Sequence, residues 1–175
     1  MTHSHDKGLP VERSERLRLD PIREEDAPLV LRVLDDAEFR RFVADRGVRT
    51  EEDARRYLRE GPLAIAAREG FGLWRVSHRD DGRGIGVASI LRRDEYEHPD
   101  LGYAIVAEER GRGFATEAGA AAMRIARERL GLGPLLAIVQ VDNLASVRVV
   151  EKLGFRLERR AGRILVFLSD PARDA

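Results

Sequence analysis

Apolar and polar residues alternate over Arg16-Leu17-Arg18-Leu19, so the chain begins its ordered part with a strand, which Pro21 ends. The period then changes. Leu29, Val30, Val33 and Leu34 recur at helical spacing, and Phe39 and Phe42 extend that apolar set. Glu24, Glu25 and Asp26 stand before them, where negative charge suits the positive end of a helix. Thr50-Glu51-Glu52-Asp53 has the form of a capping box, which predicts a second helix through Tyr57 and Leu58, stopped by Gly61-Pro62. Leu63 to Ala67 suits a helical tail or a strand equally. Phe71 to Val76 and Ile85 to Leu91 read as the two strands of a hairpin, with turn residues Asp80-Asp81-Gly82 between them. Leu101 to Val106 is a further strand, and Phe114 to Leu130 a helix. Ala115, Ala118, Gly119, Ala122, Ile125 and Ala126 lie toward one side of that helix, small enough to let it approach a sheet; Gly131 suits its end. Leu135 to Val141 is almost continuously apolar, as a buried strand is. The strand–helix–strand crossover makes it parallel to Leu101–Val106. Asp142 or Asn143 caps a last helix that Gly154 ends, and Phe155–Glu158 and Ile164–Leu168 form a closing pair around Ala161-Gly162. The order βααβββαβαββ predicts an α/β (mixed α+β) domain: one mixed sheet of about seven strands, with helices on both faces.

Composition narrows this little but excludes much. A length of 175 residues suits one domain with a substantial core. Residues 1–14 are polar and read as a tail, leaving 15–175 as the domain; His3 and His5 are spaced for a metal, but a loose tail is the simpler reading. The formal net charge of zero removes the bulk electrostatic reason for a nucleic-acid partner. With no cysteine there is no thiolate nucleophile, disulfide or Cys-ligated metal, and no metal is expected. No apolar run reaches the length of a membrane span and no signal-peptide core is visible, so a cytoplasmic location is expected. Lys7 and Lys152 are the only lysines among 31 basic residues, an arginine bias that fits a high-GC bacterial genome.

The chemistry gathers at Arg110-Gly111-Arg112-Gly113-Phe114-Ala115-Thr116, where a strand passes through a glycine-bearing turn into a helix. Successive backbone N–H groups and the helix dipole make such a turn an anion site. Gly111 and Gly113 let a ligand approach the main chain, and Arg110 and Arg112 add charged donors suited to phosphate oxygens. A P-loop would need Gly-Lys-Ser/Thr, which is absent, and the third glycine of a dinucleotide fingerprint is missing, so a Rossmann oxidoreductase fits poorly. What remains, Arg-x-x-Gly-x-Ala, resembles the pyrophosphate signature of the GNAT superfamily of acetyl-CoA-dependent N-acetyltransferases. The run GRGFATEA looks like the Rim-type branch, which includes ribosomal-protein N-terminal acetyltransferases. Leu19-Asp20-Pro21-Ile22-Arg23, Leu101-Gly102-Tyr103 and Asn143-x-x-Ser146-x-x-x-x-Glu151-Lys152-Leu153-Gly154-Phe155 agree with that branch. The likeness covers roughly residues 16 to 168.

The resemblance implies acetyl-CoA as co-substrate, an amine acceptor (a protein N-terminus or a small molecule), and no nucleic-acid or membrane partner. Homodimers are common in such folds. In the family the two central parallel strands splay, and the pantetheine arm pairs with the first of them, which here implies the backbone of Tyr103, Ile105 and Val106. The diphosphate would lie on Arg110, Gly111, Arg112, Gly113, Ala115 and Thr116. An alkyl ammonium has a pKa of about 10.4, so a base must take its proton before attack; Asp100 is the first candidate and Glu117 the second. Many relatives supply a tyrosine acid four residues before the closing Gly-Phe. That position is Val150 here, so the role of contacting the departing sulfur falls to Ser146, one turn earlier. Asn143 is expected on the pantetheine arm. The missing tyrosine leaves a non-catalytic acetyl-CoA-binding module as the alternative. Asp94, Glu95, Glu97 and Asp100 form an acidic loop that reads first as solvated. Phe39, Phe42, Tyr57, Trp74 and Tyr103 read first as core.

Overall fold

The computed structural model describes residues 8–170. Among these residues eight strands form one sheet in the order β1-β2-β3-β4-β5-β6-β8-β7. They are β1 (Glu12–Arg13), β2 (Leu17–Pro21), β3 (Leu73–His78), β4 (Gly84–Leu91), β5 (Asp100–Ile105), β6 (Leu136–Gln140), β7 (Arg156–Ala161) and β8 (Ile164–Leu168). All neighbours are antiparallel except β5 and β6. The helices are α1 (Ala27–Leu34), α2 (Ala37–Phe42), α3 (Glu51–Leu58), α4 (Ala64–Glu69), α5 (Phe114–Arg124) and α6 (Leu144–Lys152). This is the mixed α/β architecture expected, with eight strands rather than about seven.

The added strand is β1. Residues from Pro10 onward are held rather than trailing: the Trp74 indole donates to the Pro10 carbonyl at 2.8 Å, β1 pairs with β2, and Ser14 donates to Glu117 at 2.7 Å. The domain therefore begins before residue 15, while His3 and His5 lie outside the described residues. Leu63 to Ala67 resolves as helix, because a π turn over Arg59–Leu63 carries the α3 backbone past Pro62 into α4. Thr50 caps α3 as its spacing predicts, its hydroxyl accepting from Asp53 N–H.

The functional consequence lies at the middle of the sheet. β5 and β6 run parallel and meet at the single register pair Asp100–Leu136, beyond which they diverge. On its other side β5 is fully paired with β4 from Asp100–Leu91 to Ile105–Gly86. The opposed pairs Leu91–Asp100, Ser89–Gly102 and Val87–Ala104 share the face toward α1 and α2, whereas Leu101 and Tyr103 project toward α5 and α6. The gap between the diverging strands joins the two faces.

Candidate active site

A cleft of about 540 Å³ passes through this gap. One side is lined by the β5–α5 loop and α6, the other by α1, α2 and the strand face carrying Ser89 and Asp100.

At the loop, Ala107–Glu109 forms one 3-10 turn, Arg110 is extended, and Gly111 and Gly113 take φ of 74° and 81°. Those values lie in the left-handed region that glycine alone adopts freely. Gly113 is the N-cap of α5 and supplies no capping side chain. As a result, none of the backbone N–H groups from Gly111 to Thr116 finds an acceptor among the described residues; the first to do so is Glu117, which donates to Gly113 O. Neither does the Thr116 hydroxyl. Six main-chain donors are thus left free around a helix N-terminus, five of them on residues that line the cleft, an arrangement suited to an anion.

The two arginines of the loop divide. Arg110 was expected to offer its guanidinium to phosphate, but that group is committed to protein: Nε donates to Ile105 O at 3.0 Å, Nη1 meets Glu38 at 3.0 Å and Nη2 meets Asp36 at 2.7 Å. Asp36 also caps α2 by accepting from Glu38 N–H and Phe39 N–H. Its burial opposes ionisation, but the Arg110 and backbone donors outweigh it and hold its pKa below the ordinary value. Arg110 is thus a clamp between the end of β5 and α2. Arg112 stays largely exposed and rests on Glu109 and over the Phe114 ring. Glu109 is only 3% exposed, and the Arg83 guanidinium at 2.6 Å is the main reason its pKa is lowered.

Along β5, Val106 N–H donates to Ile85 O, which sets the phase of the strand: residues 100, 102, 104 and 106 point their backbone groups at β4, and residues 101, 103 and 105 point theirs at the gap. Val106, expected to pair with a ligand arm, is therefore turned away. Tyr103 and the Ile105 N–H face the gap, while Ile105 O is already taken by Arg110.

The sequence pattern places the Tyr103 phenol in the core. Instead it reaches across to α6, with Oη 2.9 Å from Ser146 Oγ and 3.2 Å from Ser146 O. Burial pushes the phenol up to about 12, so it stays protonated and able to donate. Ser146 sits in the first turn of α6, its N–H bound to the capping Asn143 Oδ1 at 3.2 Å. Val150 fills the position of the absent tyrosine and is 1% exposed. No sequence signal linked residues 103 and 146; only the approach of α6 to the gap does.

Asp100 stands at the closed end of the gap, 5% exposed. Burial raises its pKa, and the Arg93 guanidinium, 2.7 Å away through Nε, opposes that rise without cancelling it. Glu117 is excluded from the cleft chemistry. Its oxygens accept from Ser14 Oγ, Arg16 N and Arg16 Nε, each at 2.7 Å, and so pin the β1–β2 hairpin to α5. Asp94, Glu95 and Glu97 are exposed, as a solvated loop requires. Trp74 is core at 0% exposure, whereas Phe39, Phe42 and Tyr57 line the cleft.

A mixed sheet parted at its parallel pair, with an uncapped helix N-terminus at the parting, sets an anion-suited cleft in the middle of the fold. The model of the acetyltransferase (GNAT) domain matches residues 16–156, and the chain belongs to that family of acetyltransferases. Among its relatives is an uncharacterised N-acetyltransferase, YoaA, of Bacillus subtilis, 26% identical over 151 residues that cover 86% of this chain and 85% of that protein. The crystal structure of an acetyltransferase from Agrobacterium tumefaciens superposes with a TM-score of 0.78 at 26% identity, covering 93% of this chain and 95% of that one. RimL, a ribosomal L7/L12 α-N-protein acetyltransferase solved with coenzyme A, shares the fold with a TM-score of 0.74 at 19% identity, covering 91% and 96%. Rim-type enzymes are thus among its structural neighbours.

Proposed function

We propose that this protein transfers an acetyl group from acetyl-CoA to a primary amine, on a protein N-terminus or a small molecule, by direct attack on the thioester. One observation carries the reading: the β5–β6 gap ends at six unclaimed backbone N–H groups, a donor set complementary to a diphosphate. Thr116 adds a free hydroxyl, and Arg148 and Lys152 on α6 line the same cleft without an ion-pair partner among the described residues, which suits further phosphate charge. The Tyr103 and Ile105 backbone facing the gap would hold the pantetheine arm. Asn143, whose Oδ1 is occupied as a cap, keeps its amide N–H donors for that arm.

The chemistry then follows from positions along the gap. A backbone N–H of β5 donates to the thioester oxygen, where negative charge develops as the amine nitrogen bonds to the carbonyl carbon. Asp100, directly or through water, takes the proton that the ammonium must lose; its raised pKa makes it a better base than an ordinary aspartate. The C–S bond breaks, and Ser146 Oγ–H donates to the departing sulfur. In the 2.9 Å contact between Tyr103 Oη and Ser146 Oγ either oxygen can donate; with the phenol as donor, the serine proton is left for the sulfur. The nitrogen, cationic once bonded to the carbonyl carbon, gives up its second proton as the C–S bond breaks, that proton passes to the thiolate, and the products are an N-acetyl amide and the free thiol of coenzyme A.

Purified protein mixed with acetyl-CoA and a panel of amines should release thiol in step with amide formation. Thermal stabilisation by the cofactor without thiol release from any amine would instead mark a binding module.

A further inference from the structure

Resting on that reading, we infer that the acceptor is a monoamine carried on an apolar body, and that polycationic amines are rejected. The charges of the cleft carry the argument. Each carboxylate lining it already pairs with an arginine: Glu38 with Arg110 at 3.0 Å, a guanidinium it shares with Asp36, Asp100 with Arg93 at 2.7 Å, and Glu109 with Arg83 at 2.6 Å. Arg46, which follows α2 and acts electrostatically on Tyr57, lines the cleft with no ion-pair partner among the described residues. The acceptor side therefore offers one ammonium a place to lose its proton, at Asp100, and offers a second or third ammonium no free carboxylate. A further ammonium drawn from water into such a wall would be desolvated without compensation, in a field of its own sign.

The rest of the wall is apolar. Val33, Leu34, Phe39, Phe42, Leu73 and Leu91 line it, and burying an apolar body against them is favourable in proportion to the area covered. Two hydroxyls interrupt it. Ser89 Oγ and Tyr57 Oη make no hydrogen bond among the described residues, although Ser89 is 8% exposed and burial raises the Tyr57 pKa. Gly102 opposite leaves Ser89 its place, since a Cβ there would stand 2.5 Å from Oγ. Neutral donors and acceptors among apolar side chains suit an uncharged hydrogen-bonding group on the acceptor.

The test compares kcat/KM for 2-phenylethylamine, phenylalaninamide and spermidine with the full chain and saturating acetyl-CoA, followed by thiol release. The monoamines should exceed spermidine by at least about tenfold, the size expected when one ammonium is left uncompensated. Exposed Arg46 can be reversed without touching the core, so R46E should shift the spermidine-to-phenylethylamine ratio toward spermidine. Spermidine turned over as well as or better than the monoamines would overturn the inference while upholding the transferase. No turnover of any of the three, with acetyl-CoA bound, would overturn both.

Discussion

Single atoms decide the proposed chemistry. Ser146 Oγ is the hydroxyl placed for the leaving sulfur, and a hydrogen bond to a charged group contributes about 1.5–3 kcal/mol. Ser146→Ala should therefore lower kcat by about tenfold or more, with little change in acetyl-CoA affinity; stopped-time assays beside a binding titration separate the two. Tyr103→Phe removes the 2.9 Å contact to that hydroxyl and keeps the ring. It should depress kcat less than Ser146→Ala, and the loss should grow as acyl donors with poorer thiol leaving groups are used. If the loss is the same for every donor, the phenol does not act through the serine. At Gly113, φ of 81° and the nearby Arg16 guanidinium leave no relaxed place for a branched side chain. Gly113→Val should abolish cofactor binding and lower the melting temperature as well.

The elements explain why these residues meet. α5 carries the proposed phosphate cradle, whose N-terminus must be held still, and Glu117 anchors the helix by gathering Ser14 and Arg16 of the first hairpin. Burial resists the charge on Glu117, but those donors outweigh it, so its folded pKa lies below the ordinary 4.5. The unfolded chain then binds more protons than the native one, and the stabilisation is present above about pH 4.5 and lost as pH falls through the depressed native value. Glu117→Gln should accordingly melt earlier than the parent at pH 7, and the difference should shrink toward pH 3. A constant difference across that range would assign the loss to packing. Arg110 plays the matching part on the other flank, tying the end of β5 to the cap of α2.

Over the whole molecule, one departure from regular pairing makes the site. A sheet continuous from β1 to β5 and from β6 to β7 is joined across its middle by a single register pair. The unpaired β5 edge is costly unless water or a ligand satisfies it. A ligand that binds only the folded state raises stability by about 2.7 kcal/mol at one hundred times its dissociation constant. Acetyl-CoA at that excess should raise the melting temperature by several degrees, and desulfo or dephospho analogues should rank by how much of the cleft they fill. No shift with acetyl-CoA would refute the cradle.

Much of this was legible in the chain because it depends on local periodicity. The alternation at Arg16–Leu19, the capping box at Thr50 and the small face of α5 are each written within a few residues, and so is the glycine turn before Phe114. What is not local could not be read there. The sequence offers Arg110 as a phosphate ligand, but Asp36 and Glu38, more than seventy positions away, claim it. Val106 looks like part of the ligand-facing strand until its bond to Ile85 shows which way the backbone faces. Tyr103 and Ser146 are ordinary residues on separate elements, and only the docking of α6 over the gap makes them a pair. The sequence by itself determined most of the elements, the family and the glycine turn before α5, because backbone preference and hydrophobic period act between near neighbours. Tertiary structure alone decided which donors stay free, which charges are neutralised and which hydroxyls face the cleft, because those depend on what long-range packing brings within about 3 Å.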